Sequence, residues 1–130
     1  MAGFLPISPE ETRALGWEQV DIVCVTGDAY VDHPSFGAAI ISRLLEAEGY
    51  RVGVLSQPDF TTCESMKEFG RPRYGFFSGG GNVDSMVAHY SVAKIRRAQD
   101  EYTPGGAAGK RPDRSATVYT RLAKEAYPDL

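Results

Sequence analysis

Apolar residues fall along this chain in short blocks whose spacing alternates between two periods. Val20 to Thr26, VDIVCVT, is a β-branched run without the regular polar alternation of a half-exposed strand, and such a strand is covered on both faces. It predicts a central parallel strand, ended by Gly27-Asp28. From Ser35 the spacing becomes helical: Phe36, Ala39, Ile40, Leu44 and Ala47, with Ile41 and Leu45 beside them, mark an apolar stripe, and Gly49 stands where a glycine ends a helix. Val52 to Ser56 is a second, shorter apolar run ended by Gln57-Pro58, expected nearer the sheet edge and reached by a right-handed crossover. Thr62, Glu64 and Ser65 mark a helix start whose apolar side is Met66 and Phe69, broken at Gly70-Arg71-Pro72. A third strand is predicted at Tyr74 to Ser78. A helix through Val83, Met86, Val87 and Tyr90 is predicted to run to about Arg97, and another from Thr117 to Tyr127 carries Val118, Leu122 and Ala126.

Strands alternating with helices imply an α/β fold. The expectation is a three-layer, doubly wound, mostly parallel sheet of Rossmann-like or flavodoxin-like type. Its 130 residues suit one domain. Residues 1–17 read as a polar lead-in, with Ser8-Pro9-Glu10-Glu11 opening a short helix that stops at Gly16. Residues 18–130 read as the α/β domain. Asp100 to Ser115, DEYTPGGAAGKRPDRS, lacks apolar periodicity and is expected to be an exposed loop, long enough to be functional. After Tyr127 an α/β fold would ordinarily add another strand, so the chain is expected to be part of a longer protein.

Charge and composition narrow the function. Fourteen basic and seventeen acidic residues leave a net charge of −3, without the electrostatic footprint of a dedicated nucleic-acid binder. No apolar run approaches the roughly 20 residues of a membrane span, and no basic segment followed by an apolar one opens the chain; the expectation is a cytoplasmic protein with no membrane partner. The two cysteines, Cys24 and Cys63, build neither a disulfide framework nor a metal site by themselves. Cys24 suits a buried small hydrophobe. Cys63 suits either a bland thiol or one activated at a helix start.

Two polar turns carry the candidate chemistry. The loop after the first strand, GDAYVDHPSFG, sets Asp28, Tyr30, Asp32, His33 and Ser35 at a strand's carboxyl end, where open α/β sheets bind ligands. Such residues equally suit a chain turn and a helix cap, with Asp28 and Ser35 bonding backbone amides. His33, extended before Pro34, is open to three roles: ligand, base or ordinary surface histidine. After the third strand, Gly79-Gly80-Gly81-Asn82 and then Asp84 fit either a close approach to a bound anion at a helix start or a structural turn capped by Asn82. Asp84 occupies the last glycine position of G-x-G-x-x-G, so the dinucleotide fingerprint is not met. If the strand order is 2-1-3, both turns flank one switch-point crevice. A triad of Ser35, His33 and Asp28 is rejected, for near neighbours in a loop rarely face one another and no G-x-S-x-G elbow occurs. GGAAGKRPDR is one residue short of a phosphate loop and carries Arg111 where Ser or Thr would bind magnesium. Lys110, Arg111 and Arg114, with Lys94, Arg96 and Arg97, make a locally basic section suited to phosphate, an acidic partner or simple solvation.

Three segments, VTGDAYVDHPSFGAAIISRLLEAEGYRVGVLSQPD, GRPRYGFFSGGGNVDSMVAHYSVAKIRR and DEYTPGGAAGKRPDRSATVY, together resemble the N-terminal region of the YgiQ-type radical S-adenosylmethionine proteins. The resemblance covers nearly all of the chain after its first fifteen or so residues. It implies a downstream catalytic barrel of the same polypeptide whose C-x-x-x-C-x-x-C cysteines hold a four-iron four-sulfur cluster and bind S-adenosylmethionine. Those cysteines are missing here, so it implies no cofactor in this chain and names no substrate. The layout is also similar to cobalamin-binding domains. Their D-x-H-x-x-G signature is not met, with Val31 two before His33 and Phe36 three after it, which argues against cobalamin. The leading expectation is an accessory domain that packs on or gates the barrel, with Asp28, Tyr30, Asp32, His33, Asn82 and Asp84 lining its edge and no residue of this chain catalytic. The alternatives are a free-standing small-ligand or nucleotide-binding module and a purely structural docking domain.

Overall fold

Ile22 to Thr26 forms β1, buried from Val23 to Thr26 as befits a strand paired on both sides. In the computed structural model, which describes residues 4–33, 35–81, 90–91, 93, 95–96, 98–99, 103–104, 109–110 and 112–130, β1 lies between β2 (Val52–Ser56) and β3 (Gly75–Gly79) in the order β2-β1-β3. All pairing is parallel. Ile22 sits opposite Val52 and Gly75, and Thr26 opposite Ser56 and Gly79. This is a small α/β sheet of Rossmann-like or flavodoxin-like kind, with helices on its faces.

Asp21 sets the amino edge of the sheet. Its backbone N–H donates to Arg51 O at 2.8 Å, its Oδ2 accepts from Arg51 N at 2.8 Å, and its carbonyl accepts from Tyr74 N at 2.8 Å. Both outer strands therefore start in register with β1. The lead-in also meets the sheet: α1 (Pro9–Ala14), capped by the Ser8 hydroxyl, follows a segment in which Pro6 O accepts from Val54 N at 2.9 Å and Leu5 is 1% exposed.

The main core lies on one face. Val23, Val25 and Leu55 meet Met66 of a short 3₁₀ segment, Cys63–Lys67, and Tyr119 and Leu122 of α3 (Ser115–Ala126). Gly53 leaves room here for the Phe69 ring, which would stand 3.1 Å from a Cβ at that position. On the other face α2 (Gly37–Ala47) lies over β1 and β2.

Four local expectations change. The start at Thr62 gives a 3₁₀ segment rather than an α-helix, since Gly70-Arg71-Pro72 leaves little chain before β3. The buried residues of α2 are Ala39 and Ser42, while Ile40, Ile41 and Leu44 are exposed; small side chains let the helix approach the sheet closely and turn the larger aliphatic ones outward. A helix reaching Arg97 is excluded over its last part, because Tyr90 pairs with Arg96 in an antiparallel bridge and Ser91 N donates to Ile95 O at 2.8 Å. That bond runs opposite to the helical direction; Val83 to Met86 and Val87 lie outside the described residues. The 100–115 segment is not wholly exposed: Thr103, Pro112 and Ser115 are buried, Thr103 because its hydroxyl accepts from Gln57 Nε2 at 2.7 Å. Among the described residues no helix is long and apolar enough to cross a membrane.

Candidate functional site

The turns after β1 and β3 meet at the carboxyl edge because two glycines, Gly27 and Gly81, lack the Cβ atoms that would hold them apart. A Cβ on Gly27 would stand 2.7 Å from Gly80 O, and one on Gly81, at φ +98°, would run into the Asp28 carboxylate. Thr26 Oγ1 accepts from Asp28 N at 3.2 Å, and Ser56 Oγ donates to Asp28 O at 3.0 Å, so strand ends on both sides hold Asp28 in place. Asp28 is 3% exposed. Gln57, at φ +48°, bridges the edge: its N–H donates to Thr26 O at 2.9 Å, and its Nε2 donates to Gly27 O at 3.1 Å as well as to Thr103 Oγ1. A side chain in this left-handed region is uncommon, and such residues cluster where surroundings over-determine the backbone. Ser115, the first residue of α3, lies beneath both turns near Gly27 and Gly80.

A crevice of about 230 Å³ opens between these turns and α2, lined by Asp28, Tyr30, Phe36, Ile41, Phe77 and Gly79–Gly81, with Cys24 and Thr26 at the strand. Aliphatic and aromatic carbon forms most of its wall, with one buried carboxylate at its back. Tyr30 is positioned by the lead-in, its hydroxyl accepting from Leu5 N at 3.3 Å and its ring meeting Phe4 edge-on. Burial pushes the Tyr30 phenol up from its ordinary value. Burial likewise raises the Cys24 thiol, partly countered by the Ser42 hydroxyl, so Cys24 is a packing residue of the strand and a poor nucleophile.

The structure brings Asp28, Tyr30, Gly79, Gly80 and Gly81 to this crevice and takes three other candidates elsewhere. Asp32 and His33 line a separate shallow depression with Ala39, Ile40 and Arg43. Arg43 claims Asp32 in a two-pronged pair, Nε to Oδ1 at 3.0 Å and Nη2 to Oδ2 at 2.5 Å, and its Nη1 donates to Glu46 at 2.9 Å. This pairing holds the Asp32 carboxyl below the usual carboxylate range. His33 Nδ1 accepts from Ser35 N at 3.1 Å. Ser35 does not cap α2, whose N-cap is Phe36. Lys110 and Arg114 are exposed; Asn82, Asp84 and Arg111 lie outside the described residues. Sequence reasoning missed Phe36, Ile41 and Phe77 as walls, Gln57 as the bridge and Ser115 as the floor. The only prior sign of Gln57 was its place at a strand end before Pro58.

A small parallel sheet with flanking helices and a mostly carbon-walled crevice at its carboxyl edge defines the class as a small α/β domain of Rossmann-like or flavodoxin-like kind. The chain belongs to the family described as Radical SAM N-terminal, which matches residues 4–130. It is 53% identical over 129 residues to a UPF0313 protein of Shewanella oneidensis, covering 99% of this chain and 16% of that protein. Against a UPF0313 protein of Thermotoga maritima it is 54% identical over 127 residues, 98% of this chain and 22% of the relative. A UPF0313 protein of Pseudomonas aeruginosa shows 56% identity over 126 residues, 97% of this chain and 17% of the relative. The chain thus spans roughly a fifth of the length of these relatives. No solved structure matches it.

The family implies an iron–sulfur cluster and S-adenosylmethionine, and the described residues do not fit the cluster. Cys24 faces Ser42 of α2, whereas Cys63 packs against the core on the opposite face. No group of three potential metal ligands converges among the described residues.

Proposed function

We propose that this chain is the N-terminal accessory domain of a longer radical S-adenosylmethionine protein, and that it meets the catalytic barrel of the same polypeptide with the carboxyl edge of its sheet, packing on or gating it. The observation that carries this reading is the crevice itself: Gly27 and Gly81 let two turns meet, yet the wall they complete is mostly apolar and, among the described residues, offers a single buried carboxylate. Such a surface suits packing against a partner and excluding water. The cluster and S-adenosylmethionine belong, in this reading, to the barrel, where S-adenosylmethionine supplies the radical chemistry. Asp28 at the back of the crevice and Tyr30 at its wall contribute hydrogen bonding. Cytoplasmic placement belongs to the same proposal.

The test is made on the full-length protein with its cluster reconstituted. Ile41→Glu places a charge at the crevice wall and leaves the buried face of α2 untouched. The expected result is lost or uncoupled S-adenosylmethionine turnover with an unchanged cluster spectrum. Turnover equal to wild type, with the variant folded, would reject a role for this edge. A ligand-binding module is the weaker alternative, since about 230 Å³ is below the roughly 300 Å³ at which small-molecule sites usually begin. A thermal shift with a nucleotide or cobalamin would favour that alternative instead.

A further inference from the structure

The two edges of the sheet are treated differently. At β2 the lead-in covers the middle of the edge, with Pro6 O accepting from Val54 N and Leu5 buried beside it. At β3 none of the described residues pairs with the outer side. Gly75–Gly79, GFFSG, has no charge, no proline and no interruption of its pairing with β1, so it lacks the devices by which an exposed edge is kept from recruiting another strand. Its residues are only partly buried, while those of β1 and β2 are almost all buried.

Topology says which way the sheet continues. The step from β1 to β2 passes through α2 on one face, and the step from β2 to β3 passes through Cys63–Lys67 on the other. Opposite lateral moves through opposite faces satisfy the right-handed rule. The chain then passes through α3 on the same face as Cys63–Lys67, and the same rule carries the next parallel strand further from β1, onto the outer side of β3. α3 begins near Gly27 and Gly80 at the carboxyl edge and ends at the amino edge, where Tyr127 stacks on Phe76 at 5.9 Å and Asp129 pairs with Arg71 at 2.8 Å. Chain leaving Leu130 therefore starts where a strand parallel to β3 must start.

We infer that the outer edge of β3, unpaired among the described residues, takes a fourth parallel strand, supplied by the polypeptide that follows Leu130 in the full-length protein. The relatives are several times longer than this chain, and the family match places it at their N-terminal side. The grooves beside the edge define the chemistry of the occupant. A groove of about 290 Å³ between β3 and α3, walled by Phe76, Ser78, Tyr119, Ala123 and Tyr127, takes its side chains on one face. Phe77 and the crevice wall meet them on the other. A strand covered on both faces is apolar at successive positions, so the occupant is a short β-branched run without charges.

Amide hydrogen exchange on the full-length protein tests this, comparing β3 with β1. The expected result is that the alternate β3 amides pointing away from β1 are protected, independently of protein concentration. Replacing one apolar residue of the first β-branched run after Leu130 by aspartate should speed their exchange by at least about tenfold while β2 keeps its protection. Unprotected outward amides would overturn the inference. So would protection that disappears on dilution, which would assign the edge to a second copy, or protection that the aspartate leaves unchanged. If the aspartate variant loses protection throughout, alanine at the same position decides: faster exchange confined to β3 supports the inference, and unchanged exchange overturns it.

Discussion

Gly27 and Gly80 are neighbours across the carboxyl edge, and their tolerance of a methyl group should differ sharply. A Cβ on Gly27 meets the Gly80 carbonyl oxygen at 2.7 Å, whereas one on Gly80 meets only the Ser115 hydroxyl at 3.7 Å. Gly27→Ala must push the two backbones apart and should cost about 1–3 kcal/mol, as overpacking does. Gly80→Ala should stay within about 0.5 kcal/mol. Urea midpoints of the two variants check this, and equal midpoints would mean that the turns do not touch. Asp32 gives a prediction in pH. Its carboxyl is held low by Arg43, so the folded chain binds this proton more weakly than the unfolded one. The resulting stability is fully present above the unfolded value of about 4 and is lost as pH falls through the lower folded value. With both side chains partly exposed, the contribution should be about 1 kcal/mol or less. Asp32→Asn should therefore be less stable than wild type at pH 7, with a shallower loss of stability in acid; parallel pH profiles would refute it.

At the scale of elements, α2 separates what pattern shows from what it hides. Its position after a β-branched strand and its end at Gly49 were plain in the apolar spacing. Its rotation was not. Ile40, Ile41 and Leu44 form as good a stripe as Ala39 and Ser42, and hydrophobicity favours the larger residues; the sheet takes the smaller ones because a close helix excludes bulk. Ala39→Leu should consequently cost about 1–3 kcal/mol by overpacking, while Leu44→Lys, at a position 62% exposed, should change the stability of the chain by no more than about 0.5 kcal/mol. Chemical denaturation distinguishes this orientation from the reverse, in which the two effects would exchange places. The strands were readable for a simple reason, since runs such as VDIVCVT suit burial on both faces; their order, which the sequence leaves as a condition only, is the β2-β1-β3 that the structure shows. The meeting of the turns after β1 and β3 follows from that order. Asp32 could not be assigned in the same way, because the residue that claims it, Arg43, lies eleven positions on in α2. Gln57 was hidden too, since a left-handed backbone at a residue other than glycine carries no compositional sign and its partner Thr103 is remote in sequence.

For the molecule as a whole, the lead-in is where local polarity misleads most about its contribution. Residues 4 to 8 look like a tail, yet Leu5 is 1% exposed, Pro6 is buried and its carbonyl completes the hydrogen bonding of Val54 on the outer side of β2. Leu5 N also donates to the Tyr30 hydroxyl, tying the β2 side of the sheet to the crevice. A three-stranded sheet has two outer strands for one inner strand, so closing one edge protects a large share of its pairing. Leu5→Ala removes a buried aliphatic side chain and should cost about 2–5 kcal/mol. It should do more than destabilise evenly: the Val54 amide, whose acceptor is the next residue, should lose exchange protection before the β1 amides do, and Tyr30 should lose its anchor. Tyr30→Phe separates the two effects. It removes the hydroxyl that accepts from Leu5 N and also bonds the Asp32 carboxylate, so it should cost about 1 kcal/mol and leave Val54 protected. If Leu5→Ala instead lowers protection equally across β1, β2 and β3 with no preference for Val54, the lead-in packs on the sheet without sealing its edge, and the contrast between a closed β2 side and an open β3 side disappears.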